Sequence, residues 1–179
     1  MNVVAKTETG RALGDAFAVA RDRLPGKSKI ADQRRQAFEA YERSGLPHRR
    51  IEDWKYTDLR ALMREVLPLA PAPDAAALGR AAAAIKLQAI DGVRRLVLVD
   101  GAFAPDLSDL GNLDKGLGIQ PLREVLDAGD GVLSTQAFAT DISNPMIALN
   151  GAMATDGVVI EIADGTVLAQ PLQIGRAHV

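Results

Sequence analysis

The chain has 179 residues, no cysteine and two histidines, His48 and His178. That composition excludes a disulfide framework, a thiolate nucleophile, a Cys-X-X-Cys redox pair, a cysteine-bound zinc or iron–sulfur centre and a local multi-histidine metal site. Net charge is −2, and 47% of residues are hydrophobic but only 4% aromatic, so no global attraction to nucleic acid or membrane follows and the core must rely on small side chains.

Charge is uneven along the chain. Residues 21–60 carry an excess of Lys and Arg, residues 65–175 an excess of Asp and Glu. Met1–Gly10 has no apolar segment of the kind a signal peptide needs. The strongest apolar run, Leu96–Val99, is far short of the roughly 20 residues of a membrane span. Cytoplasmic is the expected localisation.

The N-terminal third reads helical. Leu13, Ala16, Phe17, Ala20 and Leu24 follow a helical period and form one apolar stripe, ended by Pro25-Gly26. A second helix fits Ala31–Ser44, with Ala37, Phe38 and Tyr41 on one face and a stop at Gly45. A third begins near Thr57, as N-cap, with Asp58 in the first turn and Leu59, Leu62, Met63, Val66 and Leu67 as its buried face. Pro68 closes it. Three prolines in Pro68–Pro73 mark an extended linker, and Ala75–Ile90 is an alanine-rich helix by propensity.

Beyond residue 90 the period shortens. Arg94–Val99 is a strand, and Asp100-Gly101 predicts a tight hairpin turn because both central residues need positive φ. Pro121–Ala128 fits one short helix, stopped by Gly129-Asp-Gly131. At the end, Val158, Ile160 and Ile162 alternate on one strand face, and Leu168, Leu172 and Ile174 on another. Those two segments suit either a hairpin or the opening rungs of a β-solenoid. The sequence stops at Gly175-Arg-Ala-His-Val179, directly after an apolar strand, which reads as a truncation or as foreign terminal residues.

Catalytic signatures are missing. There is no phosphate-binding or dinucleotide-binding glycine loop, no nucleophile elbow and no H-E-x-x-H. Asp106 and Asp109 lie close in sequence, but acids beside Pro and Ser serve as turn residues. His48 has no local partner to orient it. The informative residues cluster in Ser44–Leu59, which holds the single Trp and one of two Tyr. Basic and aromatic residues interleave there, as in surfaces that stack nucleobases. The alternative is that Trp54 and Tyr56 pack between the second and third helices. Glu52 and Asp53, which would repel phosphates, favour packing.

Gly45-Leu-Pro-His-Arg-Arg-Ile-Glu-Asp-Trp-Lys-Tyr-Thr-Asp-Leu59 resembles the N-terminal signature of the SufD family (SufB/SufD family) of iron–sulfur cluster assembly proteins. Asn144-Pro-Met-Ile-Ala-Leu-Asn-Gly-Ala-Met-Ala-Thr-Asp-Gly-Val-Val-Ile160 resembles the family stretch that leads into its core, and Leu96–Ser108 a looser third. They stand in the family's order, and the resemblance spans residues 30–174. It implies an α+β chain: an N-terminal helical region (1–67), a Pro/Ala-rich linker and helix (68–92), a connecting α/β segment (93–150) and the first rungs of a right-handed parallel β-helix (151–179). It also implies a non-catalytic component of a SUF-type cluster assembly scaffold, here as an N-terminal fragment, partnered by a SufB-like paralogue and a SufC-like ABC ATPase. Cluster and ATP belong to the whole assembly; this segment binds neither. Gly45, Leu46, Pro47, Arg50, Glu52, Trp54, Lys55, Tyr56 and Thr57 carry over as a family landmark with no assigned chemistry. No catalytic, cofactor-binding or metal residue is expected. A homodimer through strand edges is possible, membrane contact is not expected and nucleic acid is disfavoured. Two other readings stand beside it: a helical module binding nucleic acid through basic residues 21–60, and a hydrolase using loop carboxylates such as Asp106.

Overall fold

The computed structural model describes residues 8–129 and 142–177. His178 and the stop signal beyond Gly129 lie outside them. In chain order the elements are α1 (Glu8–Ala20), α2 (Lys29–Ser44), α3 (Leu59–Leu62), α4 (Ala75–Leu87), β1 (Arg94–Val99), β2 (Ala102–Phe103), β3 (Leu117–Pro121), α5 (Leu122–Ala128), α6 (Pro145–Met153), β4 (Val158–Ile162) and β5 (Leu172–Ala177). The fold is mixed α+β, and contacts divide it into two compact units, each drawn from two stretches of chain. One joins the residues up to Leu69 with 126–154; the other joins 70–125 with 155 onward.

In the first unit α1 and α2 meet as their apolar stripes predict. Leu13, Ala20, Ala37, Phe38 and Tyr41 are buried. Phe17 stacks on Phe38, with centroids 4.3 Å apart and planes 11° apart, and Phe38 tilts against Tyr41 at 5.6 Å. The chain has few rings, and three of them meet here. α6 lays Ala148, Leu149 and Ala152 onto the same cluster. Its small side chains allow close approach. Asn144 caps its start, Oδ1 accepting from the amides of Met146 (3.0 Å) and Ile147 (3.4 Å), and Pro145 follows where no amide is needed.

Arg34 ties these pieces together. It is 2% exposed on α2. Its Nε and Nη2 donate to the Pro25 carbonyl at 3.2 and 3.0 Å. Its Nη1 donates to the carbonyls of Gly151 and Ala152 at 3.2 and 3.1 Å. One planar guanidinium therefore satisfies the connection between α1 and α2 and the last turn of α6, where carbonyls lack intrahelical partners and favour a cation.

The third helix is shorter than expected. α3 is a single turn, and its N-cap is Asp58, not Thr57: the carboxylate accepts from the amides of Arg60 (3.1 Å) and Ala61 (3.4 Å). A carboxylate is the stronger acceptor at this position. The Met63 carbonyl accepts from the Thr9 hydroxyl at 3.0 Å, and Met63 leaves helical geometry (φ −88, ψ 74). Leu59, Met63 and Val66 still pack on the core. Leu62 and Leu67, expected beside them, are 68% and 73% exposed.

In the second unit β1 is the central strand of a sheet ordered β2-β1-β5. β1 and β2 form the expected hairpin across Asp100 (φ 48) and Gly101 (φ 87), pairing Leu98 with Phe103. α4 crosses this sheet through Ala77 and Ala81, four residues apart, against Val97, Val99 and Ala104. It ends at Leu87 rather than Ile90, before the Asp91-Gly92 turn. Two carboxylates organise the surrounding loops. Asp156 accepts from the amides of Phe103 (3.1 Å) and Arg123 (3.0 Å). Asp109 accepts from the Arg95 amide at 2.9 Å.

The C-terminal strands do not form a hairpin with each other. β4 pairs antiparallel with β3, and β5 pairs parallel with β1. Pro171 separates their fates. It has no amide to donate, and its carbonyl accepts from the Arg94 amide at 2.9 Å where the β1–β5 ladder begins.

Two outcomes follow from the first unit. Arg34→Ala strips partners from two buried carbonyls and one partly buried one and should lower stability by about 3–5 kcal/mol, with Arg34→Lys recovering only part because an ammonium cannot fork; urea midpoints measure both. The Tyr41 hydroxyl is buried without a hydrogen-bond partner. Its pKa is raised above 10.0, by desolvation first and then by Glu42, against a smaller opposing effect of Arg60. An acid held protonated in the folded state loses its stabilising contribution as pH climbs past its unfolded value. Tyr41→Phe should be neutral or about 1 kcal/mol stabilising at neutral pH, and its advantage over wild type should grow above pH 10. An advantage that stayed constant with pH would show that Tyr41 does not titrate in this way.

Candidate functional site at the Gly45–Leu59 segment

The segment singled out in the sequence is a compact loop whose ends meet. Gly45 closes α2, its amide donating to the Tyr41 carbonyl at 2.7 Å. Its backbone (φ 68, ψ −170) lies in a region essentially reserved for glycine. Leu46 and Pro47 are buried, and the Leu59 amide donates to the Pro47 carbonyl at 3.0 Å. Between these anchors, turn hydrogen bonds run from Ile51 to the His48 carbonyl, from Trp54 to Ile51, from Lys55 to Glu52 and from Thr57 to Trp54. The His48 Nδ1 accepts from the Arg50 amide at 3.2 Å. That bond orients a ring for which the sequence suggested no partner.

Anchors and rim behave differently. Gly45, Leu46 and Pro47 serve the fold. Arg50, Glu52, Lys55, Tyr56 and Thr57 are exposed, and Trp54 is half-buried. The expectation that both rings pack between helices fails for Tyr56, which is 91% exposed. The shortness of α3 explains this, because a one-turn helix offers no long face to cover the ring. Lys55 bridges Glu52 at 2.7 Å and sits 5.4 Å from the centre of the Tyr56 ring. Two residues outside the landmark set join the same surface. Arg49 Nε lies 3.6 Å from Asp58, and Arg60 Nε donates to the Leu46 carbonyl at 3.1 Å. The Arg49-Arg50 pair and the cap residue Asp58 were the signals that could have named them.

The two loop carboxylates sit in different settings. Asp109 is bound to the Arg95 amide, while Asp106 is exposed in a 3-10 turn. Among the described residues, no group of three His, Asp or Glu is placed to hold a metal ion, and no helix is long and apolar enough to cross a membrane.

Comparison with known proteins matches residues 13–174 to the family described as the SufBD protein N-terminal region. Over 82 residues, 46% of this chain, the sequence is 37% identical to the iron–sulfur cluster assembly protein SufD of Escherichia coli (strain K12). That match spans 18% of the relative's length.

The division between anchors and rim is testable by substitution. Gly45→Ala should cost about 1–3 kcal/mol through backbone strain alone, since a Cβ there meets open space, and Leu46→Ala about 2–5 kcal/mol. Tyr56→Ala should stay within about 0.5 kcal/mol of wild type. Equal losses in thermal unfolding for all three would contradict the assignment.

Proposed function

The chain belongs to the SufBD protein N-terminal region family, and from that premise we propose that it is a non-catalytic component of an iron–sulfur cluster assembly scaffold. The observation that carries this reading is the family match across residues 13–174, which takes in both compact units. The relative named as a SufD protein supports it. The chain has no thiolate to offer a cluster, so its contribution is architectural and cluster ligands come from elsewhere in the assembly.

The finer reading follows from the same premise. Residues 1–179 are the N-terminal portion of a longer cytoplasmic protein, and β4 and β5 lead into a parallel β-helix. Two facts support this: the family is described as an N-terminal region, and β5 lies at the edge of its sheet in parallel pairing with β1, where further parallel strands can be added. The partners are a SufB-like paralogue and a SufC-like ABC ATPase, and ATP hydrolysis belongs to the latter.

Co-expression tests the assignment. The tagged full-length gene product, expressed with the SufB-like and SufC-like proteins of its own organism, should bring both down in fixed proportion. Recovery of the tagged protein alone, folded and soluble, would overturn the scaffold role.

A further inference from the structure

We propose that the cationic cleft beside the Gly45–Leu59 loop docks an acidic peptide segment of a partner protein, one that carries an apolar side chain among its carboxylates. The cleft is lined by His48, Arg49, Arg50, Asp58 and Arg60. Three guanidinium groups face one carboxylate there, and that carboxylate is already engaged: it caps α3 and meets Arg49. Arg60 is fixed through Nε to the Leu46 carbonyl, and its terminal nitrogens have no hydrogen-bond partner among the described residues. The Arg50 side chain has no hydrogen-bond or ion-pair partner among the described residues. Arginines in this state present planar forks suited to carboxylates.

An adjoining groove shares Arg49 and Asp58 with the cleft and adds Tyr56 and Leu62. Tyr56 and Leu62 are 91% and 68% exposed. The loop that carries Tyr56 is held by its own turns, by buried Leu46 and Pro47 at one end and by partly buried Leu59 at the other, so little backbone freedom is lost on binding. Exposed tyrosine next to arginine is the composition of a binding hot spot in protein interfaces. The same surface suits nucleic acid poorly. Glu52 and Asp53 are exposed on this loop and would face a uniformly negative backbone, whereas a peptide can place its charges around them. This inference stands independently of the scaffold role.

The probe is a fluorescein-labelled peptide of alternating glutamates and leucine, with anisotropy read at low and physiological salt. Saturable binding that weakens as salt rises is expected. Arg50→Glu should weaken it about tenfold or more, and Tyr56→Ala about fivefold or more. Lys115→Glu makes the same charge change in the other unit and should leave binding unaltered. Circular dichroism verifies that each variant is folded. Absence of saturable binding overturns the proposal, as does an equal loss with Lys115→Glu or indifference to Tyr56. Tighter binding of an oligothymidine than of the peptide overturns it in favour of a nucleic-acid surface.

Discussion

A single buried guanidinium organises the first unit. Arg34 reaches the carbonyl of Pro25 on one side and the carbonyls of Gly151 and Ala152 on the other, so the connection between α1 and α2 and the end of α6 share one donor. Burying a charge is expensive unless its hydrogen bonds are made. Here the price is met by carbonyls that would otherwise be orphans at a helix terminus. The interaction therefore selects one arrangement of three helices, whose apolar contacts combine the Phe17, Phe38 and Tyr41 rings with small alanines. Stacked Phe17 and Phe38 add area; Arg34 adds direction.

The second unit reaches the same end by a buried guanidinium of its own, Arg94, which donates to the carbonyls of Asp109, Gly111 and Asn112, and by carboxylates. Asp156 holds the end of β2 at Phe103 and the start of α5 at Arg123, and Asp109 pins the loop after Ser108 to β1. Ser108 joins them, its Oγ accepting from the Val97 amide and donating to the Ala104 carbonyl. Alanines on α4 let the helix approach the sheet closely. In both units, polar groups placed at backbone ends compensate for a core poor in large side chains.

Local signals in the sequence translated well into local structure. The α1 and α2 stripes, the Gly45 stop, the Asp100-Gly101 turn and the strand at Arg94–Val99 each depend on neighbours within a few residues, and each is where periodicity or turn chemistry puts it. What depends on distant partners was not legible. The spacing from Thr57 to Leu67 promised about three helical turns, but Met63 leaves helical geometry and its carbonyl accepts from Thr9, more than fifty residues upstream. Nothing near Val158 or Leu172 reveals that their partners are β3 and β1. The Gly45–Leu59 loop stood out for its residues, yet the exposure of Tyr56 could be seen only once the length of α3 was known. Arg34 left no signal at all, because an arginine on an amphipathic helix reads as solvent-facing.

The interleaving of the two units bears on how the protein is made. The ribosome releases α1 and α2 first, then the first part of the second unit, and only afterwards α6, whose residues 145–153 complete the first core. Until then the face of Phe38 and Ala37 lacks its cover, and Arg34 has one of its two anchoring points. β1 waits in the same way for β5. Neither unit can finish folding while its later stretch is still unsynthesised, so the nascent chain holds two incomplete cores through much of translation. Long sequence separations of this kind also slow closure. Early termination anywhere between residues 70 and 144 would leave an aggregation-prone helical pair, not a smaller version of the domain.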